Sequence, residues 1–344
     1  MYLQSIATAS PPHSFTQKEC WSFIMQSEVR HILKDRSLAI LQKVLLNDNG
    51  IAKRHFALND LARIFDYRSD DLATAFEREA PALAARALAA ALERGGVLPA
   101  QIDALFICTC TGYLCPGLSS YVSEKLRLKT DAYLHDAVGT GCGAAIPVMR
   151  AADHFLRAHP GATAACVAVE ICSAAFYLDD DPGVLISACL FGDGAAAAIW
   201  TGRQRNDEPR AFGFDTLHWP EHREMLRFEA RNGKLRNRLA KAVPATAARA
   251  VRKLFDRRGE RPVGQVIAHP GGRDVLVALT STLPDYELDE SSRVLRQFGN
   301  MSSPSVLFAL EERLKDHSIE DDLWLVSFGA GFSSHSCRLG TVPA

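Results

Sequence analysis

Apolar positions along the chain follow two periods. Between about residues 15 and 95 they recur mostly at helical spacing, and PALAARALAAALERGG (81–96) predicts a helix that stops at Gly95 and Gly96. Beyond it, short continuous apolar runs alternate with amphipathic ones. Ala104–Cys110, Ala132–Ala137, Ala162–Ile171 and the AAAAIW run at 195–200 have strand length, and IPVMRAADHFLRAH (146–159) reads as a helix among them. The second part repeats this outline. VGQVIAHPGG (263–272) is strand then turn, and RDVLVALTSTL (273–283) is helix. SSPSVLFALEERLK (302–315) is a helix with Ser303 as N-cap and Pro304 in its first turn, and LWLVSFGAGF (323–332) is a last buried strand. Strands alternating with helices indicate an α/β protein, and the repeated outline points to a duplicated fold divided at 1–201 and 202–344.

Composition narrows the function classes. With 47% hydrophobic and 23% charged residues among 344, the chain is not a disordered one. Lys+Arg at 39 against Asp+Glu at 40 argues against a nucleic-acid-binding protein. No apolar run approaches the roughly 18 residues of a membrane span, and the N-terminus lacks the basic and apolar regions of a secretory signal. A cytoplasmic location is expected. The nine cysteines are odd in number and scattered, which fits free thiols. Cys108, Cys110 and Cys115 lack a fourth ligand at zinc-like spacing, so no metal is expected and the group reads as apolar strand residues. From His222 to Lys241 seven basic residues face only Glu224 and Glu229. This is either a solvated face or a patch for an anionic ligand such as a nucleotide phosphate.

Three residues stand at strand-to-helix turns. Cys142 lies in GTGCGAA, where glycines permit a sharp turn and a helix begins at or just after the thiol. A helix N-terminus lowers a thiol pKa, so a nucleophilic thiolate is expected, against a buried structural Cys as assumed for Cys166, Cys172 and Cys189. His269 ends an apolar strand in IAHPGG. It is either a satisfied core residue or an imidazole able to donate to a thioester oxygen or pair with a thiolate. Asn300, in FGNMSSPS, is either a turn or cap residue or an amide donor for an oxyanion.

Taken together, DAVGTGCGAAIPVMRAADHF, LFGDGAAAAI, IAHPGGRDVL, GNMSSPSVLFALEE and SFGAGF resemble, in order, the motifs of the type III polyketide synthases, the chalcone and stilbene synthase family of the thiolase superfamily. The likeness runs from about Leu105 to the C-terminus, with a weaker match in AKRHFAL near residue 52. It implies a thiolase-like five-layered αβαβα fold of two pseudo-duplicated halves, a homodimer, and a buried triad of Cys142, His269 and Asn300 reached by a coenzyme A tunnel. It further implies that an acyl-CoA starter is loaded on Cys142. Malonyl-CoA then decarboxylates, with His269 and Asn300 donating to its thioester oxygen. Repeated condensation and cyclisation follow, with coenzyme A thioesters as substrates and no other cofactor.

By the same resemblance Phe191 is a gatekeeper aromatic, Ser302 a pocket serine, and Lys53 and Arg54 lie near the coenzyme A phosphates. Cavity positions that carry threonine in plant members align with Cys110, Cys172 and Ala175. Met225 aligns loosely with a small cavity residue, and Ala330 replaces a proline. These departures favour an aliphatic starter and a pyrone or resorcinol-type product. The alternatives are a ketoacyl synthase III-like single condensation on an acyl carrier protein, a catalytically silent partner subunit, and a cysteine hydrolase.

Overall fold

The computed structural model describes residues 1–58, 60, 66–204, 207–316, 319 and 322–340. Its strands are β1 (Tyr2–Ala9), β2 (Ser14–Thr16), β3 (Lys53–His55), β4 (Ala104–Thr109), β5 (Tyr133–Val138), β6 (Thr163–Glu170), β7 (Gly194–Thr201), β8 (Arg210–His218), β9 (Leu226–Arg231), β10 (Lys234–Leu239), β11 (Gln265–Ala268), β12 (Leu323–Gly329) and β13 (Ser333–Gly340). Its helices are α1 (Gln17–Gln26), α2 (Val29–Ile32), α3 (Asp35–Leu46), α4 (Ser69–Gly95), α5 (Leu118–Leu126), α6 (Ala145–Ala158), α7 (Pro182–Leu190), α8 (Val243–Asp256), α9 (Arg273–Thr282), α10 (Asp289–Phe298) and α11 (Ser305–Asp316).

Nine strands form one sheet in the order β11-β12-β13-β8-β1-β7-β6-β4-β5. The duplication is visible in that order. In the first half β5, β4 and β6 are parallel, β7 runs against β6, and β1 runs against β7. In the second, β11 and β12 are parallel, β13 runs against β12, and β8 runs against β13. The halves meet where β1 and β8 pair through Tyr2 and Arg210.

Strand alternation builds the layers. Leu105 and Ile107 of β4, with Val167 of β6, face an outer layer containing α1, α3, α4 and α5. Phe106, Cys108 and Cys166, on the other face, join Leu325 and Leu339 of the second half around the central helices α6 and α11. Trp324, Val326 and Phe328 of β12 face α8, α9 and α10. The result is five layers, αβαβα. Helix α6 fits the central layer because Ile146, Met149, Ala152 and Leu156 fall on one stripe. Burying Ile146, Met149 and Leu156 contributes about 1.5–3 kcal/mol each.

Two local expectations change. The helix predicted from Pro81 begins twelve residues earlier, at Ser69, and runs through Pro81 to a left-handed cap at Gly96. Leu72, Ala75 and Phe76 are buried on the same side as the later turns, so tertiary packing outweighs the proline's lost hydrogen bond. Ser303 does not cap α11. Its hydroxyl donates to Glu170 at 2.6 Å, and the helix starts at Ser305. No helix among the described residues is long and apolar enough to cross a membrane.

Candidate active site

The candidate residues collect beyond the carboxyl ends of the parallel strands, where open α/β sheets leave a crevice. Cys110 follows β4, Cys142 follows β5, Glu170 ends β6, and His269 follows β11. Cys142 sits in a single tight turn, Gly141–Gly143, directly before α6. Gly141 has φ +72°, and a Cβ there would stand 2.8 Å from the backbone nitrogen of Ala330, so the elbow requires glycine. The turn packs on the end of β12 and is tied to it by the Ser327 hydroxyl, which donates to the Gly143 carbonyl at 3.0 Å.

The same end of β12 carries His269. Its backbone N–H donates to the Val326 carbonyl at 2.8 Å, and its ring meets the Phe328 ring edge-on at 5.2 Å. The imidazole is 1% exposed, and its Nδ1 has no hydrogen-bond partner among the described residues. Burial pulls its pKa down to about 3, so the ring is neutral at physiological pH. Asn300 joins the third loop to the second. Its Nδ2 donates to the Gly271 carbonyl at 3.1 Å, two residues beyond His269, and its Oδ1 accepts the Ser302 N–H at 2.8 Å. Its backbone also bridges to Phe191, which clusters with Cys142 and Cys172. Contacts and hydrogen bonds thus link the loops of all three proposed triad residues.

Ser302 is the contact that sequence reasoning understated. Held at φ +62° by its bond to Asn300, it places its hydroxyl 3.2 Å from Cys142 Sγ, 3.2 Å from Cys110 Sγ and 3.3 Å from Glu170 Oε1. One hydroxyl proton serves either the thiol or the carboxyl. Glu170, fully buried, also accepts from the backbone N–H of Cys110 and Thr111 and from the hydroxyls of Thr109, Thr111 and Ser303. Burial pushes its pKa up, and these donors oppose that. The sequence signal for it was a lone acid closing the apolar run ATAACVAVEI.

The expected low Cys142 pKa is not what the resting site has. Burial pushes the thiol up to about 12, and the nearby Glu170 adds to this against the Ser302 hydroxyl. Desolvation of a thiolate 9% exposed outweighs the turn and helix dipoles, so the resting group is a neutral thiol. Cys172, Ala175 and Phe191 do line one recess, a constricted cavity of about 20 Å³. Cys110 reaches the site through Ser302. Met225 does not line the recess, because it packs against Thr246 in the outer layer. Phe228 and Asn237 of the β9–β10 hairpin occupy that wall instead. The divergent sequence around 203–245 hid the register.

Lys53 is half-buried, on β3. Arg54 is 2% exposed and donates to Gln17 Oε1 and to the carbonyls of Ala188 and Phe191. A phosphate-binding role for Arg54 is therefore corrected to a structural one, holding the Phe191 turn. Within the basic run at 222–241, Arg227, Arg231, Arg236 and Arg238 are paired to Glu224, Glu229, Asp179 or Asp181. Among the described residues no three His, Cys, Asp or Glu side chains are grouped to hold a metal ion.

The profile of FAE1/type III polyketide synthase-like proteins matches residues 2–256, and that of the chalcone and stilbene synthase C-terminal domain matches residues 219–334. A 1,3,6,8-tetrahydroxynaphthalene synthase of Streptomyces peucetius subsp. caesius is 30% identical over 345 residues, covering 95% of this chain and 90% of the relative. A 3,5-dihydroxyphenylacetyl-CoA synthase of Amycolatopsis orientalis is 30% identical over 263 residues, covering 72% of this chain and 70% of the relative. The crystal structure of the tetrahydroxynaphthalene synthase of Streptomyces coelicolor superposes with a TM-score of 0.88 at 24% identity, covering 100% of both chains. With a thiolase-like five-layered fold and a family profile spanning most of its length, the chain belongs to the type III polyketide synthases, acyltransferase enzymes of polyketide biosynthesis.

Proposed function

We propose that the enzyme loads a short acyl group from coenzyme A onto Cys142, extends it by decarboxylative condensation with malonyl-CoA, and cyclises the chain to a resorcinol-type ring. The observation that carries this reading is the linkage of the Cys142, His269 and Asn300 loops through the end of β12, the Asn300–Gly271 bond and the Phe191 bridge. The nucleophile comes from residues 1–201 and the two donors from 202–344, so the site lies at the junction of the halves.

In this mechanism the neutral His269 takes the proton of the Cys142 thiol as Sγ attacks the thioester carbonyl, and the coenzyme A thiolate leaves. The proton held by His269 passes to the departing coenzyme A thiolate. Malonyl-CoA then loses carbon dioxide, and His269 and Asn300 Nδ2 donate to the malonyl thioester oxygen where charge develops. The resulting carbanion attacks the acyl-Cys142 carbonyl. The C–S bond to Cys142 breaks with Sγ leaving as a thiolate that is reprotonated, and the chain, two carbons longer, remains on coenzyme A. The dry pocket that disfavours a free thiolate also strengthens these hydrogen bonds. The chemistry draws on the thioester substrates and these side chains, with no redox cofactor or metal. Lys53 remains the basic residue proposed near the coenzyme A phosphates.

The products for which the two sequence relatives are named, 1,3,6,8-tetrahydroxynaphthalene and 3,5-dihydroxyphenylacetyl-CoA, carry hydroxyls meta to one another. That is the pattern left by closing a chain of two-carbon units. It favours a resorcinol-type ring over a pyrone here. A cavity narrowed by Phe176, Phe191 and Phe228 favours a short aliphatic starter over a bulky aromatic one. A homodimer in the cytoplasm is the proposed form. Edge strand β5 exposes Tyr133, Leu134 and Val138, and an apolar edge of this kind is normally covered.

The test is mass spectrometry of products from the purified enzyme, malonyl-CoA and acyl-CoA starters from acetyl to long-chain and aromatic, with Cys142→Ala as control. Ring products that vanish in the control are expected. Full condensation by Cys142→Ala would remove the nucleophile assignment. Extension only from acyl-carrier-protein thioesters would move the enzyme to the ketoacyl synthase III-like reading.

A further inference from the structure

One wall of the acyl cavity stands outside the layered framework. The β9–β10 hairpin is a separate two-stranded unit, and its alternation gives it two faces. Phe228 and Asn237, directly paired, line the cavity, while the next pair, Glu229 and Arg236, points to the opposite face. There Arg236, 8% exposed, gathers three carboxylates. Its Nε donates to Asp179 Oδ2 at 2.7 Å, its Nη1 to Glu229 Oε1 at 2.8 Å, and its Nη2 lies 3.1 Å from Asp181 Oδ2.

Those aspartates lie on the segment that has just lined the cavity with Cys172 and Tyr177. The segment therefore embraces β10, touching one hairpin face with its cavity residues and the other with Asp179 and Asp181. Asp181 also caps α7, its Oδ1 accepting the Gly183 N–H at 2.8 Å, and α7 leads to Phe191. At Gly183 the backbone of α7 closes on β10, where a Cβ would stand 2.3 Å from the Leu239 carbonyl oxygen. Without the guanidinium, Asp179, Asp181 and Glu229 would repel one another across this seam. Arg231, Arg227 and Arg238 lie on the same cluster at 3.3–3.6 Å but are more exposed, so screening weakens them as substitutes.

We propose that Arg236 is a positioning residue that fixes the size of the acyl cavity: by clamping the β9–β10 hairpin to the Asp179–Asp181 segment and α7, it sets how far the polyketide chain grows before it cyclises. The length-setting part rests on the polyketide reading above, and the clamp itself rests only on geometry.

The full-length enzyme is compared with Arg236→Gln, Arg236→Lys and Asp181→Asn. The last keeps a capping oxygen and removes only the charge, so it serves if Arg236→Gln does not fold. Cavity width is read as the rate of Cys172 alkylation by N-ethylmaleimide, mapped by peptide mass and normalised to the exposed Cys115. Product lengths are read in parallel by mass spectrometry. Arg236→Gln is expected to speed Cys172 labelling about tenfold, the scale of one lost charge-assisted hydrogen bond, with Arg236→Lys and Asp181→Asn in between. The ratio of longer to principal products should rise about threefold or more. Unchanged labelling in a folded variant overturns the clamp. Faster labelling with wild-type product ratios overturns its control of chain length. Faster labelling in an enzyme that makes no polyketide at all upholds the clamp and removes the polyketide reading instead.

Discussion

Removing the Ser302 hydroxyl should make Cys142 less reactive, and the size of the effect follows from the site. The hydroxyl lies 3.2 Å from Sγ and is the side-chain hydrogen bond that opposes burial in holding the thiol pKa to about 12. A hydrogen bond to a charged acceptor contributes about 1.5–3 kcal/mol. At about 1.4 kcal/mol per pH unit, its loss raises the thiol pKa by about 1 to 2. A more basic thiolate is also a better nucleophile, with a Brønsted slope of about 0.4–0.5, so the alkylation rate at fixed pH should fall about 3- to 15-fold. The assay is iodoacetamide labelling of Cys142 followed by peptide mapping, with the exposed Cys115 as internal reference. Ser302→Gly separates the hydrogen bond from backbone strain. It also lacks the hydroxyl but accepts the residue's φ of +62° without penalty. Equal slowing in Ser302→Ala and Ser302→Gly supports the hydrogen bond. Labelling as fast as wild type in both variants would refute it. In the wild type, labelling should climb about tenfold per pH unit from pH 7 to 10, because the thiol stays protonated over that range, and a midpoint near the free value of about 8.5 would contradict its burial.

The other variants probe single contacts. His269→Ala or Asn300→Ala should cut malonyl decarboxylation about 10²–10³-fold, as loss of an oxyanion donor does, while starter loading falls less. Collapse of loading alone, seen by intact-protein mass, would count against their donor role. Phe228→Ala should enlarge the recess it lines and shift products toward longer starters or chains, an outcome read directly from the product spectrum. Gly183→Ala forces a Cβ to 2.3 Å from the Leu239 carbonyl oxygen and should destabilise the protein by about 1–3 kcal/mol in urea unfolding; unchanged stability would mean that α7 and β10 separate freely.

Much of this protein is legible in its sequence. Continuous apolar runs such as ALFICT and ATAACVAVE form strands buried on both faces, and the glycine elbow around Cys142, the HPGG turn and the GNMSS turn fall at element ends, because these patterns are local and dictate local backbone. The family likeness also lay in such short ordered segments. What the sequence could not decide depended on residues far apart in the chain. Arg54 was expected near the coenzyme A phosphates, but Gln17, Ala188 and Phe191 close around it. Met225 was placed in the cavity and Phe228 was passed over, since only the fold puts Met225 in the turn before β9, against the outer layer, and Phe228 on β9, facing the recess. The state of Cys142 was the clearest case. A helix start beside a thiol is a local feature that favours a thiolate, but desolvation is a property of everything packed around it, and burial with Glu170 nearby carries the pKa the other way. Sequence alone determined the periodicity and the turns that make the elements. Only the tertiary structure decided burial, charge partners and cavity walls, because those are sums over neighbours that the chain brings together by folding.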